Sequence, residues 1–105
     1  MVKKRLRIVW TDKGKQNLRK AYDHYASYSV KSGKALKSRI FKRIRMLKEF
    51  PEMGPPQQFP TPRKNKYRYL VERQYKIIYW LENNDIIIAN IFDTRQDPAK
   101  LEKLE

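Results

Sequence analysis

Hydrophobic positions in the first half of the chain change from a strand-like to a helix-like spacing. Residues 5–10 alternate charged and apolar side chains, which predicts a strand. Residues 12–27 and then Lys34–Phe50 repeat their apolar residues every three or four positions, which predicts two amphipathic helices. Ser32-Gly33 is predicted to link these helices, and Pro51 to end the second one. A short link between two such helices indicates a helical hairpin.

The second half of the chain is rich in β-branched and aromatic residues, after a proline-rich loop at residues 52–66. Asn83-Asn84 suits a tight hairpin turn, because asparagine tolerates positive φ. The run Ile86-Ile87-Ile88 is apolar on both faces, so its strand is predicted to be central or covered. The predicted strands are Tyr67–Arg73, Tyr75–Glu82 and Ile86–Asp93, with a short helix or tail from Ala99 to Glu105.

This order of elements predicts an α+β fold in a single domain, residues 1–105. An N-terminal strand precedes the helical hairpin, and a three-stranded antiparallel meander follows it. The apolar stripe of each helix must be buried against another element, so we expect both helices to pack on one face of a mostly antiparallel sheet.

Positive charge is concentrated in the first two-thirds of the chain. Residues 1–66 contain 19 Lys and Arg against 4 Asp and Glu, a net charge of +15, whereas residues 67–105 contain 6 against 7, a net charge of −1. The total of +14 exceeds the charge of about 2–8 that solubility requires, which favours an acidic partner, either nucleic acid or protein. With no cysteine and no apolar run approaching ~18 residues, we expect a cytoplasmic protein without disulfides or a membrane segment.

Several segments, taken in this order, resemble the RelE/ParE toxin superfamily. The similarity extends from Arg5 to Leu101, and it rests on the combination of length, element order and strand pattern, since most matched positions are core hydrophobic residues. The segments are Trp10-Thr11 before the first helix, residues 47–54 (LKEFPEMG), Arg68–Val71, Tyr75–Tyr79 (YKIIY) and the ending Phe92–Pro98 (FDTRQDP).

The resemblance implies a toxin of a bacterial type II toxin–antitoxin system. It also implies a cognate antitoxin whose extended and helical segment wraps the toxin in a hetero-oligomer, and the basic charge favours an acidic one. RelE-like members cut mRNA on the ribosome. ParE-like members poison DNA gyrase and have no established nuclease site.

Lys76, Arg95 and Tyr69 are the candidate catalytic residues if the protein is an enzyme, which would then be a metal-independent endoribonuclease. The resemblance places Lys76 and Arg95 where RelE-like enzymes carry basic residues, so both are candidates to contact the scissile phosphate. Tyr67 and Tyr69 occupy the positions of paired lysines in those enzymes, and a tyrosine with its usual pKa of about 10 is a poor base at neutral pH. The alternative for Arg95 is a structural pair with Asp93.

The set of nuclease residues is incomplete, because Leu101 also lies in the region where RelE-like enzymes use a tyrosine. This departure favours the ParE-like branch. His24 is expected to be an ordinary helical residue, and one histidine among scattered carboxylates implies no metal and no cofactor. Nucleic-acid binding is predicted for Arg63, Lys64, Lys66 and Arg68.

Three hypotheses on function follow from the sequence. The first is a toxin that inhibits growth through DNA gyrase or translation and is neutralised by its antitoxin. The second is a ribosome-dependent mRNA endoribonuclease of the RelE-like kind. The third is a basic nucleic-acid-binding module without toxicity, which growth after induction distinguishes from the other two.

Overall fold

The computed structural model describes residues 5–58 and 66–103 and confirms the predicted α+β order of elements. A strand is followed by two helices, then by three strands, and a short 3₁₀ helix, Pro98–Lys103, comes last. The elements are β1 (Arg7–Trp10), α1 (Asp12–Ala26), α2 (Val30–Met46), β2 (Arg68–Glu72), β3 (Tyr75–Glu82) and β4 (Asp85–Asp93).

The four strands form one mixed sheet in the order β1-β4-β3-β2. As predicted, β2, β3 and β4 form an antiparallel meander. The isoleucine-rich strand β4 is central, which agrees with its apolar character on both faces. Strand β1 pairs with β4 in parallel, so β2 also runs parallel to β1. The helical hairpin is the crossover between these two parallel strands, which lie at opposite edges of the sheet.

The second helix begins earlier than predicted, and Ser32-Gly33 does not link the helices. The Ser29 side chain caps α2 by accepting a hydrogen bond from the Ser32 backbone N–H at 3.0 Å. Gly33 then lies inside α2, where an added Cβ would come within 2.9 Å of the Ala26 Cβ of α1. The glycine therefore serves close helix packing. The helix ends at Met46, so Pro51 does not terminate it.

Both faces of the sheet are covered by packed side chains. The helices cover one face, and their core contains Leu36, Ile40, Ile77, Tyr79 and Ile88, all less than 1% exposed. A second cluster lies on the opposite face, where the 3₁₀ helix contributes Leu101. Its other buried members are Tyr67, Ile78, Trp80, Ala89 and Phe92.

A β-bulge in the centre of β4 changes which of its side chains face the helices. The register with β3 moves from Tyr79 opposite Ile88 to Ile78 opposite Asn90, so one extra residue is inserted. Before the bulge, Ile86 and Ile88 belong to the helix-side core, and after it Ile91 does. The bulge therefore decides on which face the end of β4 presents its polar residues.

Candidate functional site

Lys76 on β3 lies on the sheet face opposite the helices, next to Tyr69 of β2. Its Nζ is 4.3 Å from the centroid of the Tyr69 ring and donates to the Gln57 Oε1 at 3.0 Å. Gln57 is itself held at the edge of β2, because its backbone N–H donates to the Tyr67 carbonyl at 2.8 Å. A cation over a ring and a hydrogen bond to an amide together fix the position of the ammonium group.

Arg95, after β4, is held by Asp93. Its Nε is 3.0 Å from Asp93 Oδ1 and its Nη2 is 2.7 Å from Oδ2, which makes a bidentate pair. The Arg95 backbone N–H also donates to Oδ1. These hydrogen bonds lower the pKa of Asp93, so its carboxylate is ionised at neutral pH. The geometry agrees with the predicted alternative of a structural pair.

The Asp93–Arg95 pair lies on the helix side of the sheet, beside α1. Arg95 Nη2 is 3.5 Å from the Nε2 of His24, and the His24 ring meets those of Tyr25 and Tyr28 edge-on. Burial and the charge of Asp93 raise the pKa of Tyr75, which is paired with Asp93 across the sheet, to about 12. Its phenol is therefore protonated at neutral pH. No local sequence pattern indicates that His24 and Tyr75 lie near Arg95, because their proximity depends on the bulge.

The three predicted catalytic residues do not come together in one site. Tyr69 and Lys76 lie together on the face that also carries Trp80 and Phe92. Arg95 lies across the sheet, with the α1 residue His24. The Lys76 ammonium and the Arg95 guanidinium therefore have different neighbours, on opposite faces of the sheet.

The segment after α2 is tied to the sheet by Tyr79. The Tyr79 hydroxyl accepts from the Gly54 N–H at 3.1 Å and donates to the Pro51 carbonyl at 2.8 Å. An added Cβ on Gly54 would lie 2.5 Å from the Tyr69 carbonyl oxygen. Gly54 and Tyr79 belong to two of the segments on which the resemblance rests, and here they meet in one buried contact.

A sequence model of the family described as "ParE toxin of type II toxin-antitoxin system, parDE" matches residues 8–98. The chain belongs to the ParE toxin family. The resemblance to the RelE/ParE superfamily and the preference for its ParE-like branch are confirmed. This ParE-family protein is the toxin of a type II toxin–antitoxin system, with an antitoxin as its partner.

One solved structure similar to this ParE-family chain is titled "Chromosomal ParDE TA system from P. aeruginosa". It superposes with a TM-score of 0.69 at 21% identity and covers 84% of this chain and 95% of its own. This likeness shows that the fold is shared. No curated protein sequence matches the chain.

The residues predicted to bind nucleic acid in this ParE-family chain have different surroundings. Arg63 and Lys64 lie outside the described residues. Lys66 is exposed just before β2. The Arg68 Nη1 donates to the backbone carbonyls of Glu52 and Gly54, at 3.2 and 2.8 Å, so its guanidinium holds the segment that Tyr79 also anchors. A phosphate-binding role for these residues stays a prediction.

Within residues 5–58 and 66–103, no group of three or more His, Cys, Asp and Glu side chains is placed to hold a metal ion. No helix in the same two segments has the length and apolar character to cross a membrane.

Proposed function

We propose that this ParE-family toxin stops growth by acting on DNA gyrase and does not cut RNA. The observation that carries the proposal is the separation of Lys76 and Arg95 by the sheet. The resemblance associates the ParE-like branch with gyrase, and a gyrase target implies action in the cytoplasm.

Cleavage of RNA needs a base for the ribose 2′-OH and cations that stabilise the same crowded phosphate. In this chain the Lys76 ammonium is held by Gln57 and the Tyr69 ring, while the Arg95 guanidinium is occupied by the Asp93 carboxylate. The two cations are thus separately engaged in structural contacts. This arrangement supports a toxin whose activity does not depend on a nuclease site built from them.

The antitoxin that neutralises the toxin is proposed to be acidic. The net charge of +15 within residues 1–66 attracts a polyanionic chain at long range and repels a second copy of the toxin. An acidic segment attracted by this charge would form the hetero-oligomer implied by the resemblance. Coupled folding of such a segment is expected for an inhibitor that can be removed.

Removal of the predicted nuclease residues should leave toxicity intact. We expect Lys76→Ala and the paired change Asp93→Asn with Arg95→Ala to inhibit growth within about threefold of the original chain after induction. Loss of a cation that clamps a reacting phosphate would instead cost about 10²–10³ in rate. The Asp93→Asn change is included because removal of Arg95 alone would leave the Asp93 carboxylate unpaired and could lower the stability of the fold. Growth rate after induction is the measurement, with circular dichroism as the control for folding.

The outcomes separate the three hypotheses on function. The proposal would be contradicted if both folded variants lost toxicity and the unaltered chain produced new cut sites in mRNA. That result would favour an endoribonuclease that uses Lys76, Arg95 and Tyr69. Unhindered growth on induction of the unaltered chain would contradict both toxin hypotheses and favour the binding module.

A further inference from the structure

Helix α2 carries seven basic residues and no acidic one. Two of the seven are held by neighbours. The Lys37 Nζ lies 5.9 Å from the centroid of the Tyr22 ring and 5.8 Å from that of Phe41. The Arg43 Nη2 donates to the Val71 carbonyl at 2.8 Å, and its Nε lies 3.6 Å from a Glu72 carboxylate oxygen. These two side chains therefore stabilise the packing of α2.

The other five basic side chains of α2 are exposed, and none contacts a partner among the residues that the structure describes. Four of them form one row on the helix surface. Counted from Lys31, the other three follow at 3, 11 and 14 residues, and in a helix of about 3.6 residues per turn these offsets return to nearly the same side. The row lies directly opposite the buried residues Leu36, Ile40 and Ile44. Its members are Lys31, Lys34, Lys42 and Arg45.

The row consists of two pairs of cations with a gap between them. The first pair is Lys31 with Lys34, and the second is Lys42 with Arg45. The second pair follows the first by eleven residues, which places the centres of the pairs about 16 Å apart along the helix axis. The gap holds the small side chains of Ala35 and Ser38. The inner cations of the two pairs, Lys34 and Lys42, are eight residues and about 12 Å apart along the axis. The major groove of B-form DNA is about 12 Å wide, so the two pairs can contact the phosphates on either side of it.

We propose that the outer face of α2 binds duplex DNA by spanning its major groove, with Lys31 and Lys34 on one phosphate row and Lys42 and Arg45 on the other. A duplex RNA has a deep and narrow major groove that does not match this spacing. A protein partner would need apolar area at the centre of the contact, and Ala35 and Ser38 offer little. The surface is separate from Tyr69 and Lys76, and the inference does not depend on gyrase as the target.

The test is the salt dependence of binding to a short DNA duplex of arbitrary sequence, measured with the purified full chain by fluorescence anisotropy. Four phosphate contacts predict a slope of about −3.6 in log affinity against log salt concentration. Affinity should then fall about a hundredfold between 50 and 200 mM salt.

Two sets of four substitutions with the same change in net charge separate the α2 surface from general charge. The test set is Lys31→Gln, Lys34→Gln, Lys42→Gln and Arg45→Gln. The control set replaces exposed cations outside α2 with glutamine, at Arg5, Lys15, Lys20 and Lys100. Glutamine matches lysine and arginine in helix propensity, so both sets should fold, which circular dichroism will check.

We expect the test set to weaken DNA binding at 50 mM salt by about a hundredfold and to remove most of the salt dependence, since each lost contact lowers the slope by about 0.9. The control set should keep the slope and stay within about fivefold of the original affinity. Absence of DNA binding, equal weakening by both sets, or tighter binding to an RNA duplex of the same length would overturn the proposal. So would loss of antitoxin binding in the test set with DNA binding unchanged.

Discussion

Replacement of Gly54 by alanine should lower the free energy of unfolding by about 2–3 kcal/mol, because overpacking of a fixed contact costs of this order. The new Cβ would lie 2.5 Å from the Tyr69 carbonyl oxygen and 2.8 Å from the Tyr79 hydroxyl. The backbone cannot easily retreat, since the Gly54 N–H bonds to Tyr79 and its carbonyl accepts from Arg68. Urea unfolding at neutral pH measures the effect.

A double-mutant cycle with Tyr79→Phe tests the cause of this loss. The phenylalanine removes the hydroxyl, which is one of the two closest obstacles, but it leaves the Gly54 N–H without that acceptor. Gly54→Ala should therefore cost less in the Tyr79→Phe background than alone. A loss below about 0.5 kcal/mol for the single change would show that the segment moves freely, and the described anchoring would be wrong.

Ile88→Ala should destabilise the fold by about 2–5 kcal/mol, the range for truncation of a fully buried aliphatic side chain. Ile88 is completely buried on the central strand, where it pairs with Trp10 of β1 and with Tyr79 of β3. The cavity would open at the place where β1, β3 and the helices meet. Since each kcal/mol shifts the melting temperature of a small domain by about 4–8 °C, we expect a fall of about 10 °C or more.

The matched control is Val71→Ala, on the edge strand β2. This valine is 46% exposed, so its truncation should change stability by no more than about 0.5 kcal/mol. Thermal unfolding followed by circular dichroism compares the two variants. Equal effects of the two substitutions would contradict the assignment of β4 as the packed centre of the sheet.

Much of the fold could be predicted because local sequence patterns determine where its strands and turns form. The apolar run Ile86-Ile87-Ile88 predicted a central strand, and β4 is central. The turn at Asn83-Asn84 was predicted from the tolerance of asparagine for positive φ, and Asn83 has a φ of 56°. Arg73 has the same φ although its residue type does not favour it, so there the pairing of β2 with β3 imposes the turn.

Other features depend on contacts between distant segments and left no local signal. The alternation in β1 predicted a strand but did not identify β4 as its parallel neighbour. Gly33 resembled a helix break in sequence, yet it permits the close approach of Ala26. In both cases tertiary packing decides between local structures that the sequence pattern leaves open.

The candidate site also depends on contacts that local sequence patterns do not predict. The resemblance made Lys76 and Arg95 candidates to contact the same scissile phosphate. A shift of one residue along β4, however, moves the end of that strand to the other face of the sheet. The bulge at Ala89-Asn90 shifts the side-chain alternation by one residue. As a result, Asp93 lies beside Tyr75 on the helix side. Lys76 contacts Tyr69 on the other face.

The measurement that tests the central claim most directly is DNA supercoiling by purified gyrase in the presence of the purified toxin. We expect the toxin to block supercoiling, to accumulate gyrase-linked DNA breaks, and to lose both effects when its antitoxin is added. A parallel translation reaction with ribosomes should contain uncut mRNA. Normal supercoiling together with cut mRNA would contradict the proposed function.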